Sequence, residues 1–553
     1  MLVCCITALI ALWFEIPEPA LTVYLVLFVN KPQRMATLAL SLVMLVFVSL
    51  LIALLLPLAA VLVDVPFWRV AALAILPFGI VFLGSASRLR PIAGTMALVT
   101  AYVLDLLGSV PAGELAARGL LYAWLFVAVP AGVSIVAALL VAPDPAREAG
   151  ALIGRALRGA VVLLEGGAGE SATLREAIAL DVPGLLKLAA MEHSIAHTDA
   201  SALRSAATAI LQILAAAEWL QREALATDRA AIADAFTPAL REMADVLEAG
   251  GYPIEIETPD WPALHGSESA AVATALSEAL VSFTSYPLPP LSASTAPRPG
   301  FFEPEAFTSP AHLHHALKVT LAAMTCYLLY SLWDWPGIHT AMITCFIVAL
   351  PTAAETIEKL SLRIAGCLVG AGLGLAALVF VLPGVTSIGG LLLILAGGMG
   401  LACWIAAGPA RISYAGFQIG FAFLLCILQG SAPEFDLAVA RDRVIGVLLG
   451  TAISYLVFTR LWPVSVTSLI ESTAARLAGL LQQASGEKAG VRVQTLSEAA
   501  AVRADLARWL ELAAYEPNCL SAAADWIERQ HVLLAELDRR DAPLRLARPL
   551  ERV

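Results

Sequence analysis

Residues 36–62, ATLALSLVMLVFVSLLIALLLPLAAVL, run for 27 positions without a charged side chain. At about 1.5 Å rise per residue a helix of that length exceeds the ~30 Å hydrocarbon core of a bilayer. A membrane β-strand needs only about ten residues of alternating polarity, so this run predicts a spanning helix. Runs of the same character recur along the chain. The first set lies near 2–14, 19–30, 36–62, 67–84, 91–108 and 119–142. The second lies near 313–333, 336–351, 362–382, 388–407, 412–429 and 443–462.

The whole chain of 553 residues is 59% hydrophobic and only 14% charged, with a mean hydropathy of +0.81. Soluble domains carry about 25% charged residues, so an ordinary soluble enzyme and a disordered chain are both excluded. The eight cysteines fall mostly in apolar runs with no C-x-x-C pair, which reads as buried thiols and not as a metal site or disulfide framework. The first run is about 20 Å long as a helix, so it either dips part way into the bilayer or lacks part of its start. The start has no basic segment or small-residue cleavage site, and no removable signal peptide is expected.

The two sets look like a repeat. Pro17–Pro32 and Pro336–Pro351 share a spacing of fifteen at an offset of 319, and Ser134–Pro143 and Ser454–Pro463 share a spacing of nine at 320. Six spans return the chain to its starting side, so the halves are parallel about an axis along the membrane normal. The expected fold is all-α and polytopic: two parallel six-helix transmembrane repeats with a helical cytoplasmic insert and a helical C-terminal tail. The expected division is 1–143, first repeat; 144–311, helical domain with a Pro-rich connector; 312–463, second repeat; and 464–553, C-terminal region. Residues 144–310 hold 22 acidic and 10 basic side chains, a net of −12, while the rest is nearly neutral. No basic patch points to nucleic acid. Lys31, Arg34, Arg88, Arg90, Lys359, Arg363, Arg411 and Arg460 favour one set of loops, which places both termini and the insert in the cytoplasm.

The segment Trp333-Asp-Trp-Pro-Gly-Ile-His-Thr340 opens a short, Pro-bounded span, matched by the short span 19–30 of the first half. Paired short or interrupted spans point to a transport site. Trp335, His339, Thr340 and Thr344 share one helical face and line a substrate path, or else form an interfacial aromatic belt. Lys359 and Arg363 would attract an anionic group, the guanidinium holding a carboxylate in bidentate fashion. The alternative is an Arg363 that snorkels or pairs with Glu355 or Glu358. No Arg stands at the equivalent place in the first half, so such a site is asymmetric. His339, Glu355 and Asp105 are the candidate proton carriers. Asp436, Arg441, Asp442 and Arg443, with Glu434 beside them, form an ion-pair network or gate at the outer end of the last span. Gly366, Gly370, Gly374, Gly446 and Gly450 are read as packing positions. His193 and His197 have i,i+4 spacing but no third ligand, so a solvated helix face is expected there and no metal. No cofactor is expected. There is no P-loop or nucleophile-elbow motif, and nothing supports an enzyme.

Glu303–Phe307-Thr-Ser-Pro310, Ala316-Leu-Lys318, Cys326-Tyr327, Asp334-Trp335, Gly337-Ile-His-Thr340 and Thr344-Cys345 resemble the fusaric acid resistance (FUSC) and aromatic acid exporter family. Arg411-Ile-Ser-Tyr414, Gln418, Asp436, Arg441-Asp-Arg443, Trp462-Pro463 and Phe14-Glu-Ile-Pro17 continue the likeness. The resemblance is dense over 303–465 and thin in the insert and tail. It implies a multi-pass protein of a Gram-negative inner membrane that exports drugs or aromatic acids. It further implies a periplasmic adaptor and an outer-membrane channel as partners. Proton coupling is the expected energy source, membrane lipid the surrounding, and association of copies is compatible. A passive anion channel and a non-transporting membrane scaffold are the alternatives.

Overall fold

The computed structural model describes residues 1–16, 19–108, 114–167, 171–192, 194–254, 256–257, 259–284, 300–303, 306–430, 436–486, 489–517 and 520–546. Pro17, His193, Glu434 and Cys519 lie outside the described residues. The protein is an all-α polytopic membrane protein. Its first set of helices is α1 (Leu2–Trp13), α2 (Pro19–Val29), α3 (Arg34–Asp64), α4 (Pro66–Ser85), α5 (Arg90–Leu106) and α6 (Glu114–Val141). An insert follows: α7 (Pro145–Leu164), α8 (Ser171–Glu192), α9 (His197–Glu223), α10 (Ala226–Glu248) and α11 (Ser267–Thr284). The second set is α12 (Pro310–Leu332), α13 (Thr340–Val348), α14 (Ala353–Ala376), α15 (Ile388–Ala406), α16 (Ala410–Ile427) and α17 (Leu437–Arg460). The tail is α18 (Thr467–Gly486), α19 (Ala489–Leu512) and α20 (Ala524–Leu546).

The twelve apolar runs thus appear as twelve helical segments in the expected order, and several begin earlier than their apolar stretch. The helix α14 starts nine residues before the run at 362. A capping box fixes its start: Thr352 Oγ1 accepts from the Glu355 amide at 3.2 Å, and Glu355 Oε2 accepts from the Thr352 amide at 3.2 Å. The polar residues Glu355, Glu358 and Lys359 are therefore helical. Likewise Asp436 caps α17 through the Ala438 amide at 2.7 Å, so Arg441, Asp442 and Arg443 sit in its first two turns.

Seven helices among the described residues are long and apolar enough to cross a membrane. Six belong to the two sets. The seventh, Thr198–Glu223, lies in the insert, where α7, α8 and α11 wrap it. The shorter apolar helices include α2 and α13, of 11 and 9 residues. At 1.5 Å per residue neither spans a bilayer alone, and both are buried among longer neighbours, as half-helices of transporters are. A single 3-10 turn, Pro336–Ile338, leads into α13.

Packing follows a pseudo-two-fold. The pairs α1–α2, α3–α6 and α4–α5 of the first set are repeated by α12–α13, α14–α17 and α15–α16 of the second. Contacts between the sets are reciprocal too: α4 meets α12 as α15 meets α1, and α5 meets α13 as α16 meets α2. Small residues allow this closeness. A Cβ on Gly370 would lie 2.3 Å from the Ile419 carbonyl of α16, and one on Gly450 2.4 Å from the Ala341 carbonyl of α13. Helix ends alternate: Arg34 at the start of α3 donates to the Ala142 carbonyl after α6 at 3.1 Å, and Lys318 of α12 donates to the Trp462 carbonyl after α17 at 3.2 Å. This end is the insert side. At the far side Trp335, beyond α12, meets Asp442 of α17.

One apolar core unites the two sets, a second fills the insert, and a third joins α18, α19 and α20. The third also takes in Ala354 of α14. The tail touches the insert through α8 and α9. Cys4, Cys326, Cys345, Cys367 and Cys426 are buried free thiols.

Candidate functional site

Arg363 is the feature around which the membrane core is arranged. It sits about ten residues into α14 and is 0% exposed. Its Nη1 donates to Gln418 Oε1 at 2.6 Å, and its Nη2 donates to Thr344 Oγ1 at 3.0 Å. Its plane lies over the Phe421 ring, 5.9 Å from the centroid. The phenols of Tyr24 and Tyr414 are within reach of the guanidinium, and its Nε has no hydrogen-bond partner. Every direct partner is neutral. Burying a guanidinium without a carboxylate is costly, because water solvates the ion far better than dipoles do. Such a charge is a functional feature by default.

The shell around it is drawn from both sets. Gln418 Nε2 donates to Tyr24 Oη of α2 at 3.1 Å, and Tyr24 stacks on Phe421 at 4.2 Å. Phe28 stacks on Phe417 at 6.2 Å. The site therefore lies where the half-helices α2 and α13 meet α14 and α16. The residues 319 positions before Arg363, Gln418 and Thr344 are Met44, Val99 and Leu25, all buried and apolar. The asymmetry expected from the sequence extends to both hydrogen-bond partners of Arg363.

Toward the insert side, Lys359 is half-buried one turn from Arg363. It donates to the Ile347 carbonyl at 3.2 Å and lies 5.2 Å from the Tyr414 ring centre. Toward the far side, Thr344 donates to the Thr340 carbonyl at 2.7 Å, and Thr340 Oγ1 to the Arg443 carbonyl at 3.4 Å. Arg443 Nη1 meets His339 Nε2 at 2.5 Å, while His339 Nδ1 faces the Pro336 carbonyl at 3.0 Å. A guanidinium can only donate, so Nε2 accepts and the imidazole proton is on Nδ1. Trp335 Nε1 donates to Asp442 Oδ2 at 2.8 Å, and Arg441 pairs with Asp442 at 2.9 Å while lying over the Trp335 ring at 5.8 Å. Lys359, Arg363, Thr344, Thr340, His339 and Trp335 thus form a ladder between the two sides. A small cavity beside Gln418, Phe421 and Arg443 has room for about one water.

The other expected residues fall elsewhere. Glu355 is the capping-box acceptor, and Thr352 Oγ1 also donates to its Oε2 at 2.7 Å. Glu358 is paired with Arg508 of α19. Arg363 is paired with neither acid. Asp105, on α5, accepts from Tyr330 Oη of α12 at 2.8 Å, a bond between the two sets. Asp436 is a helix cap. Sequence reasoning had not drawn Tyr24, Tyr414, Phe421 or Arg508 to the site. Gln418 and Tyr414, one turn apart in an apolar run, are the signal that could have shown the α16 face. A separate cavity of about 520 Å³ opens in the insert between Asp144, Arg147, Asp199 and Tyr252.

The Pro-initiated turn, the half-helix, the Gly-rich α14 and the Arg441–Arg443 helix start all lie in one stretch of chain. Residues 324–457 match the family model described as "Fusaric acid resistance protein-like". This stretch is similar to fusaric acid resistance proteins. Over 198 residues the chain is 37% identical to the multidrug resistance protein MdtO of Shigella flexneri, covering 35% of this chain and 29% of that protein. Over 189 residues it is 38% identical to MdtO of Escherichia coli strain K12, covering 34% and 28%. The matched stretch spans under a third of the length of these relatives. No solved structure matches the chain.

Proposed function

We propose that the protein is an inner-membrane efflux transporter for drugs or aromatic and weak-acid compounds. The observation that carries this reading is Arg363: a buried cation with only neutral direct partners, ringed by aromatics, where the two helical sets meet. An anionic group on a solute would supply the missing counter-charge, and the Tyr24–Phe421 stack would meet an aromatic body. The solute would enter from the insert side past Lys359 and leave past Thr340, His339 and Trp335. Rocking of the two sets about their shared interface would open each side in turn. The proton gradient would drive the cycle. Of His339, Glu355 and Asp105, the last is best placed to couple to rocking, because its bond to Tyr330 bridges the sets. The insert and both termini would face the cytoplasm, and the far side would meet a periplasmic adaptor and outer-membrane channel. The names of the relatives support a role in drug resistance.

The test is accumulation of aromatic acids and drugs in efflux-deficient Gram-negative cells supplied with a matching adaptor. Wild type, Arg363→Ala and empty vector are compared with and without an uncoupler. Lower accumulation in energised wild-type cells alone is the expected result. Equal accumulation in wild type and vector, with the protein present in the membrane, overturns the exporter reading. Transport that persists with uncoupler and follows the anion gradient would instead identify a passive channel, and an effect of insert deletion without any effect of Arg363→Ala a scaffold.

A further inference from the structure

The first three turns of α14 carry Glu355, Glu358, Lys359 and Arg363, two acids beside two cations. Of these only Glu355 and Lys359, four apart, have the spacing of a helical ion pair, and no direct salt bridge joins them. Glu355 is held by Thr352 at the helix start. Glu358, only 7% exposed, is held by Arg508 of α19. Lys359 is left on a carbonyl and Arg363 on an amide and a hydroxyl. Arg508, 145 residues beyond Arg363 in the chain, thus takes up one of the two carboxylates of this stretch.

We propose that Arg508 is a positioning residue of the transport site: by holding Glu358 on the tail, it keeps that carboxylate from pairing directly with Lys359, so that Lys359 and Arg363 stay available to an anionic solute. This rests on the reading of Arg363 as the anion-binding group. A buried carboxylate does not stay unpaired. Without Arg508 the cations in reach of Glu358 are Lys359, its neighbour in sequence, and Arg411, which is engaged with Tyr515. Recruitment of Lys359 draws a positive charge off the Tyr414 face, one turn or roughly 6 Å along the helix from Arg363. In a medium of effective dielectric about 20, a unit charge at that distance changes anion affinity by on the order of tenfold or more.

Arg508 is not the only anchor of the tail. Ala354 of α14 is buried in the tail core, and α19 and α20 pack on α8 and α9 of the insert. The tail should therefore stay docked when Arg508 is replaced, and the electrostatic effect can be read on its own.

The experiment is benzoate binding to the purified full-length protein by isothermal titration, with melting temperature recorded for each variant. Arg508→Ala should weaken binding about tenfold. Glu358→Gln should bind as well as wild type, and Glu358→Gln combined with Arg508→Ala should restore the affinity, because no stray carboxylate remains. The charge swap Glu358→Arg with Arg508→Glu keeps the ion pair and the fold, and should bind at least as tightly as wild type. A double variant as weak as Arg508→Ala, a swap that binds weakly, or an Arg508→Ala that binds like wild type would each overturn the proposal. A wild type that ignores benzoate overturns the reading of Arg363 itself, and this proposal with it.

Discussion

Replacement of Arg363 by methionine separates function from fold. Burial of the guanidinium costs several kcal/mol in lost hydration. Against this stand two charge-assisted hydrogen bonds, at 2.6 Å to Gln418 and 3.0 Å to Thr344, of about 1.5–3 kcal/mol each. The Phe421 face, 5.9 Å away, adds about 0.5–1 kcal/mol. Arg363→Met removes all of these together. Thr344 still donates to the Thr340 carbonyl, so only Gln418 Oε1 is left without a donor, at about 1–3 kcal/mol. The terms nearly cancel, and the melting temperature in detergent should stay within about 4 °C of wild type. Binding of an aromatic carboxylate loses its only buried charge partner, about 3–4 kcal/mol, or a hundredfold to a thousandfold. Size-exclusion after a heat ramp reads the first quantity and titration with benzoate the second. A fall of ten degrees or more, or binding left intact, would show that the charge serves the fold and not a solute.

Gly450→Ala should reduce the protein in the membrane, because its Cβ would lie 2.4 Å from a backbone carbonyl that cannot turn aside; overpacking of this kind costs about 1–3 kcal/mol and immunoblotting would show the loss. Asp442→Ala leaves Trp335 Nε1 and Arg441 without their acceptor and should lower the melting temperature by several degrees. Asp228 of the insert is held down to a pKa of about 2 by the amides of His265 and Gly266. Its unfolded value is about 3.9, so its stabilisation is complete above about pH 4 and disappears as pH falls through about 2. Asp228→Asn should flatten that limb of an acid titration followed by circular dichroism; an unchanged limb would exclude Asp228 as its source.

The order of the twelve helical segments was legible because uncharged runs separated by Pro, Gly and charge leave little choice of secondary structure. Their starts were less so: the apolar edge at 362 hides a helix that the Thr352–Glu355 cap begins at 353. Hydropathy also misleads at Thr198–Glu223, apolar enough to cross a membrane yet the core of the insert, because an alanine-rich helix wrapped on several sides carries little polarity. Within the site, Arg363, Lys359, Thr344 and His339 announced themselves as polar groups in apolar surroundings. Tyr24 did not, since a tyrosine in an apolar span has no periodic signature, and its approach to Gln418, 394 residues away, exists only after the two sets pack. The partner of Glu358 was hidden for the same reason. Spacing along α14 suggested Arg363, and tertiary structure supplied Arg508.

The apolar trio Met44, Val99 and Leu25 has a consequence for kinetics on the proposed reading. A duplicated scaffold usually offers duplicated sites, but here the mirror position is filled with hydrocarbon. A migrating anion meets a single deep energy well along its route, with no second ion behind it to push it onward. Flux should then saturate hyperbolically with a Hill coefficient of one, and release from that well, not entry into it, would set the turnover.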